Sequence, residues 1–128
     1  MIAAYDLYNE IEERGHLTED MKIKIENIRG HLFLATGLDD IVWPADKYVR
    51  RMEQRLGECE PKCTWEVHYY DHATHFIFPE RMIRNIVPGF LVNPVLKWAF
   101  PEARGYTKEC REARIDLDNR IAKLIENW

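Results

Sequence analysis

Serine is absent. None occurs among the 128 residues, so this polypeptide cannot supply a serine nucleophile. Cysteine is sparse. Cys59, Cys63 and Cys110 are an odd number at spacings that suit neither a disulfide framework nor a zinc site. They read as free thiols in a reducing compartment. No apolar run approaches the roughly 20 residues needed to cross a bilayer. The N-terminal stretch MIAAYDLYNEIEERG carries acids where a signal peptide would carry basic and then apolar residues. An excess of cations is missing too. The net charge of −4 points away from nucleic acid and from an anionic membrane as partners. A soluble cytoplasmic protein is therefore expected. With 46% hydrophobic residues, the chain is long enough for the core of one ordinary domain.

Hydrophobic spacing then orders the chain. Residues 3–14 predict a helix stopped by Gly15, with Tyr5 or Ala4 joining Tyr8 and Ile11 on one side. Ile23, Ile25 and Ile28 lead into an apolar strand at 31–36. Pro44 suits the first turn of a helix. Tyr48, Val49, Met52 and Leu56 continue that helix to Gly57. Thr64 to Tyr70 alternates, with Trp65, Val67 and Tyr69 on one face, and reads as a second strand.

Residues 76–101 hold four prolines, which predict an irregular, largely packed segment. Its apolar residues, 83–100, are expected to cover the sheet and pack on the last helix rather than line an acyl pocket. From Thr107 an apolar stripe of Cys110, Ala113, Leu117, Ile121, Leu124 and Trp128 predicts a closing helix whose charges form a solvated face. Strands alternating with helices indicate an α/β fold with parallel strands at 31–36 and 64–70. Two such strands, buried on both faces, do not make an independently stable sheet. Something beside them is missing.

Two motifs carry the chemistry. GLDDIVWP, residues 37–44, puts two acids just past the first strand. VHYYDHATHFIFP, residues 67–79, puts His75 just past the second. Ligands and catalytic groups in parallel sheets gather at the carboxyl ends of the strands. If the strands are neighbours, Asp40 and His75, 35 positions apart, reach the same edge. A carboxylate that accepts from imidazole Nδ1–H fixes the tautomer and leaves the other nitrogen as a general base. Blander readings exist. Asp39-Asp40 also suits the dipole of the helix that follows, and His75 suits a packed loop. His68, His72 and His75 with Asp71 could be metal ligands, but a strand at 64–70 scatters them, so no metal is assigned.

The run IKIENIRGHLFLATGLDDIVWPADKYVRRMEQRL, followed by VHYYDHATHFIFP, resembles the C-terminal domain of the acyl-CoA thioesterase and bile acid-CoA:amino acid N-acyltransferase family. The shared features are an apolar strand, Gly-x-Asp-Asp, Trp-Pro, a helix ending in Arg-Leu, and a strand leading to a His turn. ARIDLDNRIAKLIENW is similar to the family's last helix. The resemblance covers about residues 20–128 and is weakest at 80–105. It implies the C-terminal portion of an α/β-hydrolase fold, with residues 1–128 as a single partial domain acting on acyl thioesters of coenzyme A and needing no cofactor. It also implies Asp40, three past Gly37, as triad acid, with Asp39 as the fallback, and His75 as general base. Trp43 and Pro44 match the family's turn as structural residues. Thr74 stands where the family has a small glycine.

In this fold the nucleophile elbow and the oxyanion hole precede the acid and the histidine, so the chain is expected to begin after both. None of its cysteines lies in an elbow. The first expectation is a thioesterase or acyltransferase segment that supplies Asp and His and is inactive until an N-terminal half completes it. The alternative is a non-catalytic module derived from a hydrolase, whose signature would be a tight homodimer covering the open sheet. A small His-rich metal-binding domain is the least favoured.

Overall fold

The computed structural model describes residues 4–15 and 18–127. Ala3 and Trp128, the outer ends of the first and last expected helical patterns, lie outside the described residues. Helix α1 (Tyr5–Arg14) is followed by two short 3-10 turns and strand β1 (Gly30–Gly37). Helix α2 (Ala45–Glu58) crosses over to strand β2 (Cys63–Tyr70). The strands pair in parallel, from Gly30 opposite Cys63 to Gly37 opposite Tyr70, in a two-stranded sheet. This is the α/β arrangement expected from the alternating pattern.

Pro44 occupies the position just before α2, where its missing N–H would be unbonded in any case. Val49, Met52 and Leu56 then face inward. Leu56 is fully buried with Ile25 and Cys63, and Leu32, Leu34, Ile28 and Met52 pack around them. That first core covers only one face of the sheet. The other face carries His31, Phe33, Thr64, Glu66 and His68, mostly half-buried. The crossover helix covers a single side, and the last helix, α6 (Thr107–Glu126), meets the end of β2, where the Tyr70 hydroxyl donates to Asp116 at 2.8 Å. Helix α1 buries none of its residues. It is held by polar contacts instead, Lys47 bonding Asn9 and Glu12, and Arg51 bonding Glu12.

One correction concerns 76–101. In place of an irregular segment there are three helices: α3 (Glu80–Ile86), α4 (Gly89–Ala99) and α5 (Glu102–Gly105). Pro79, Pro88 and Pro101 each sit immediately before a helix. Proline initiates there at no hydrogen-bonding cost, and only Pro94 falls inside a helix. Ile83, Val92, Leu96 and Ala103 join Cys110 of α6 (Thr107–Glu126) in a second core, with Val87 and Phe100 at its margin. The segment packs on the last helix, as expected, but it does not cover the sheet as expected: its main contacts are within itself and with α6.

One charge of α6 departs from the solvated face. Arg114 is only 1% exposed. Its Nε donates to Glu80 Oε2 at 3.0 Å and its Nη2 to Asn93 Oδ1 at 3.3 Å, tying α3 and α4 to α6. No described helix is long and apolar enough to cross a membrane.

Candidate active site

Parallel pairing brings the carboxyl ends of both strands to one edge. The ladder extends one residue further, the Leu38 amide donating to the Tyr70 carbonyl at 2.8 Å. Beyond it the chain turns through Asp39 and Asp40, and the two acids take different partners. Asp40 is buried. Its Oδ1 accepts the amides of Val42 and Trp43 at 2.8 and 3.3 Å, a local cap on the turn into α2. Its Oδ2 lies 2.9 Å from His75 Nδ1. Asp39 instead turns toward the backbone. Its Oδ1 accepts the amides of Ala73 and Thr74 at 2.9 and 2.7 Å. Of the two acids, Asp40 therefore meets the imidazole.

The histidine turn is tightly built. Thr74 adopts φ 59 in the left-handed region, a conformation that costs a non-glycine residue about 1 kcal/mol or more. Its hydroxyl accepts the Phe76 amide at 3.1 Å. Threonine thus fills the small-residue position of the turn under strain, offset by the two bonds from Asp39. Gly37 is required by close approach. A β-carbon there would stand 2.7 Å from the Thr74 carbonyl oxygen and 3.3 Å from the Ala73 β-carbon. Strand end, acid pair and His turn are locked together.

His75 is about one-third exposed, and among the described residues nothing bonds its Nε2. The Trp43 ring meets it edge-on at 6.0 Å, and Phe100 lies at 6.4 Å. The pair opens into a cleft of about 460 Å³ lined by Tyr8, Val42, Trp43, Ile77 and Phe78. Such a setting, apolar walls around one imidazole oriented by a buried carboxylate, suits a proton transfer beside an apolar group. Trp43, read from sequence as a turn residue only, contributes a wall of this cleft. The Trp-Pro pair directly after the acids was the available signal.

The remaining histidines go elsewhere. His68 Nε2 bonds Glu66 at 2.8 Å on the open sheet face, and Glu66 also meets His31 at 3.1 Å. His72 stacks on Tyr106, with ring centroids 3.4 Å apart. The thiols are also remote or inert. Cys59 follows the far end of α2, and Cys63 opens β2, about 20 Å of strand away from the site edge. Cys110 is buried, and burial together with the Asp39 charge pushes its thiol up to about 11. It stays protonated at neutral pH.

The family model described as "BAAT / Acyl-CoA thioester hydrolase C terminal" matches residues 2–82, more than half of the chain. The match takes in α1, both strands, the acid pair and the His turn, and stops inside α3. Neither the curated proteins nor the solved structures yield a match.

Proposed function

The chain belongs to the BAAT/acyl-CoA thioester hydrolase C-terminal family, an α/β-hydrolase family, and from that premise we propose that Asp40 and His75 are the acid and general base of a catalytic triad acting on acyl thioesters of the coenzyme A type. The observation that carries this reading is the 2.9 Å contact between His75 Nδ1 and the buried Asp40 carboxylate, which leaves Nε2 without a partner among the described residues, on a histidine that lines the cleft. Residues 1–128 act as one partial hydrolase domain. The nucleophile and the oxyanion hole come from residues outside this sequence, and the chain alone is inactive.

The chemistry follows from the geometry. Asp40 holds the Nδ1–H tautomer and stabilises the imidazolium that forms. Nε2 takes the proton of an incoming hydroxyl or thiol as that group attacks the thioester carbonyl. The tetrahedral intermediate expels the coenzyme A thiolate, which receives the proton from His75. The same nitrogen then activates water for hydrolysis, or an amine for transfer, to clear the acyl group. The apolar walls Tyr8, Trp43, Ile77 and Phe78 receive the acyl portion.

The test is thioester cleavage, followed by free-thiol release, in the native assembly isolated from source cells through this chain. Expected is activity in the assembly that falls about 10³–10⁴-fold in His75→Ala and Asp40→Asn. Full activity in His75→Ala would sink the assignment. A second reading has its own support: among the described residues no third strand pairs with either edge of the two-stranded sheet, as a non-catalytic interaction module built on a hydrolase would have. An inactive assembly whose only subunit is this chain would favour it.

A further inference from the structure

Helix α4 is apolar on two opposite sides. Val92 and Leu96 face the second core. Across the helix, Phe90, Leu91, Val95 and Trp98 fall within an arc of about 140° at helical spacing, and all four are exposed. Phe90 is 78% and Trp98 82% exposed, and Ile86, just before α4, is 73% exposed. A helix apolar all round is normally covered all round. A contiguous outward patch of this kind marks a surface that meets another apolar phase.

Charge identifies that phase. From 81 to 108, between Glu80 and Glu109, the sequence has five cations (Arg81, Arg84, Lys97, Arg104 and Lys108) and one acid, Glu102, in a chain whose total charge is −4; of these, Arg81 is paired with Asp118 and Lys108 with Glu112. Three of the cations frame the patch. The Arg84 guanidinium lies beside Gly89 at the start of α4, 3.7 Å from where a β-carbon would sit. Arg104 Nε donates to the Lys97 carbonyl at the other end, at 2.9 Å. Lys97 flanks Phe90 on the helix surface. The carboxylate that pairs with Arg84, Glu80, is shared with buried Arg114, so two guanidiniums face one acid. Glu102 turns one carboxylate oxygen inward.

We propose that the outer face of α4, with Ile86, docks on an anionic lipid bilayer. The helix lies in the plane of the headgroups. Phe90 and Trp98 reach the acyl boundary, while Arg84, Lys97 and Arg104 meet lipid phosphates. At 11 residues, α4 is about 16 Å long, far short of a span. A second copy of the chain suits the face less well, because an isologous contact would set the same cationic frame against itself. The net charge argues against a membrane only when averaged over the whole sequence.

Flotation of the purified 128-residue chain on phosphatidylcholine vesicles, with and without roughly one-third phosphatidylserine, tests this. Expected is binding to the anionic vesicles, at least about tenfold weaker on neutral ones and in high salt. Phe90→Ser with Trp98→Ser, and separately Lys97→Glu with Arg104→Glu, should each weaken it about tenfold or more. Leu7→Ser on α1, 56% exposed, should leave it unchanged. All these positions are exposed, so circular dichroism should report an unaltered fold. No binding, equal binding to neutral vesicles, or binding that survives either double substitution overturns the proposal. So does a dimer, seen by sedimentation, that the Phe90/Trp98 variant dissociates, since the face would then belong to a second copy.

Discussion

Removing the Asp39 side chain should loosen the histidine turn, by an amount that follows from its bonds. Its Oδ1 accepts two amides, at 2.7 and 2.9 Å, from the buried residues Thr74 and Ala73. Each bond to a charged acceptor contributes roughly 1.5–3 kcal/mol, and an abandoned buried donor carries its full desolvation cost. Because one oxygen serves both amides, about 3 kcal/mol is expected for Asp39→Ala. For a domain of this size that is a fall of roughly 10 °C in Tm. Thr74, released from its left-handed conformation, would relax and draw His75 away from Asp40.

Asp39→Asn is the discriminating control. It keeps an acceptor oxygen toward both amides. It places an NH₂ where Oδ2 is buried without a hydrogen bond, 4.0 Å from His72 Nδ1. The asparagine variant should stay within about 1 kcal/mol of the parent. Urea denaturation measures both. Proton NMR adds a readout of the site itself: the hydrogen-bonded Nδ1 proton of His75 should persist in the asparagine variant and vanish in the alanine one. An alanine variant with the parental midpoint, or an asparagine variant as weak as the alanine one, would refute the reasoning.

Two further tests probe the scaffold. Gly37→Ala forces a β-carbon to 2.7 Å from the Thr74 carbonyl and should destabilise by roughly 1–3 kcal/mol. Gly57→Ala, with nothing within 4 Å in α2, should stabilise by about 0.5–1 kcal/mol; thermal melts in the reverse order would contradict both placements. Arg114→Met should cost about 3 kcal/mol at neutral pH, by leaving the buried Glu80 with Arg84 alone. Burial pushes the Glu80 carboxyl up, but the Arg114 hydrogen bond and charge, with those of Arg84, outweigh it and hold it below 4.5. A depressed carboxyl stabilises above its unfolded value and loses that contribution as pH falls. The penalty in Arg114→Met should therefore shrink below pH 4.5, and a penalty that grows in acid would exclude this pairing.

What was legible in the sequence was what local spacing controls. The two strands, α2 and α6 are each written in a period of 2 or near 3.6, and each was found within one or two residues of the expected span. The helices of 80–105 are hidden because a high density of proline predicts broken structure, whereas Pro79, Pro88 and Pro101 start helices. Burial of Arg114 left a faint trace, a charge beside Ala113 on the apolar stripe. Its partner Glu80 is 34 positions away, and no local pattern links them. The division of labour between Asp39 and Asp40 was partly visible. The family resemblance points to Asp40, three past Gly37, with Asp39 as the fallback, but the backbone bonds of Asp39 depend on a turn that forms only when both strands are paired.

The position of the acid–imidazole pair between two separate cores has a mechanical consequence. Asp40 hangs from β1 and the start of α2, whose core is centred on Leu56 and Cys63. His75 precedes α3 and lies against Phe100, at the margin of the core around Ile83 and Leu96. The 2.9 Å contact between them is thus set by how the two cores sit against each other. Several polar ties hold that arrangement: the Asp39 bonds to the His turn, the Tyr70–Asp116 bond from sheet to α6, and the Arg114–Glu80 pair that steadies α3. None of these touches a substrate. Loss of any one would widen the acid–imidazole contact before it unfolded either core, because packing within each core is independent of the junction. A site built this way fails first in geometry and only later in stability.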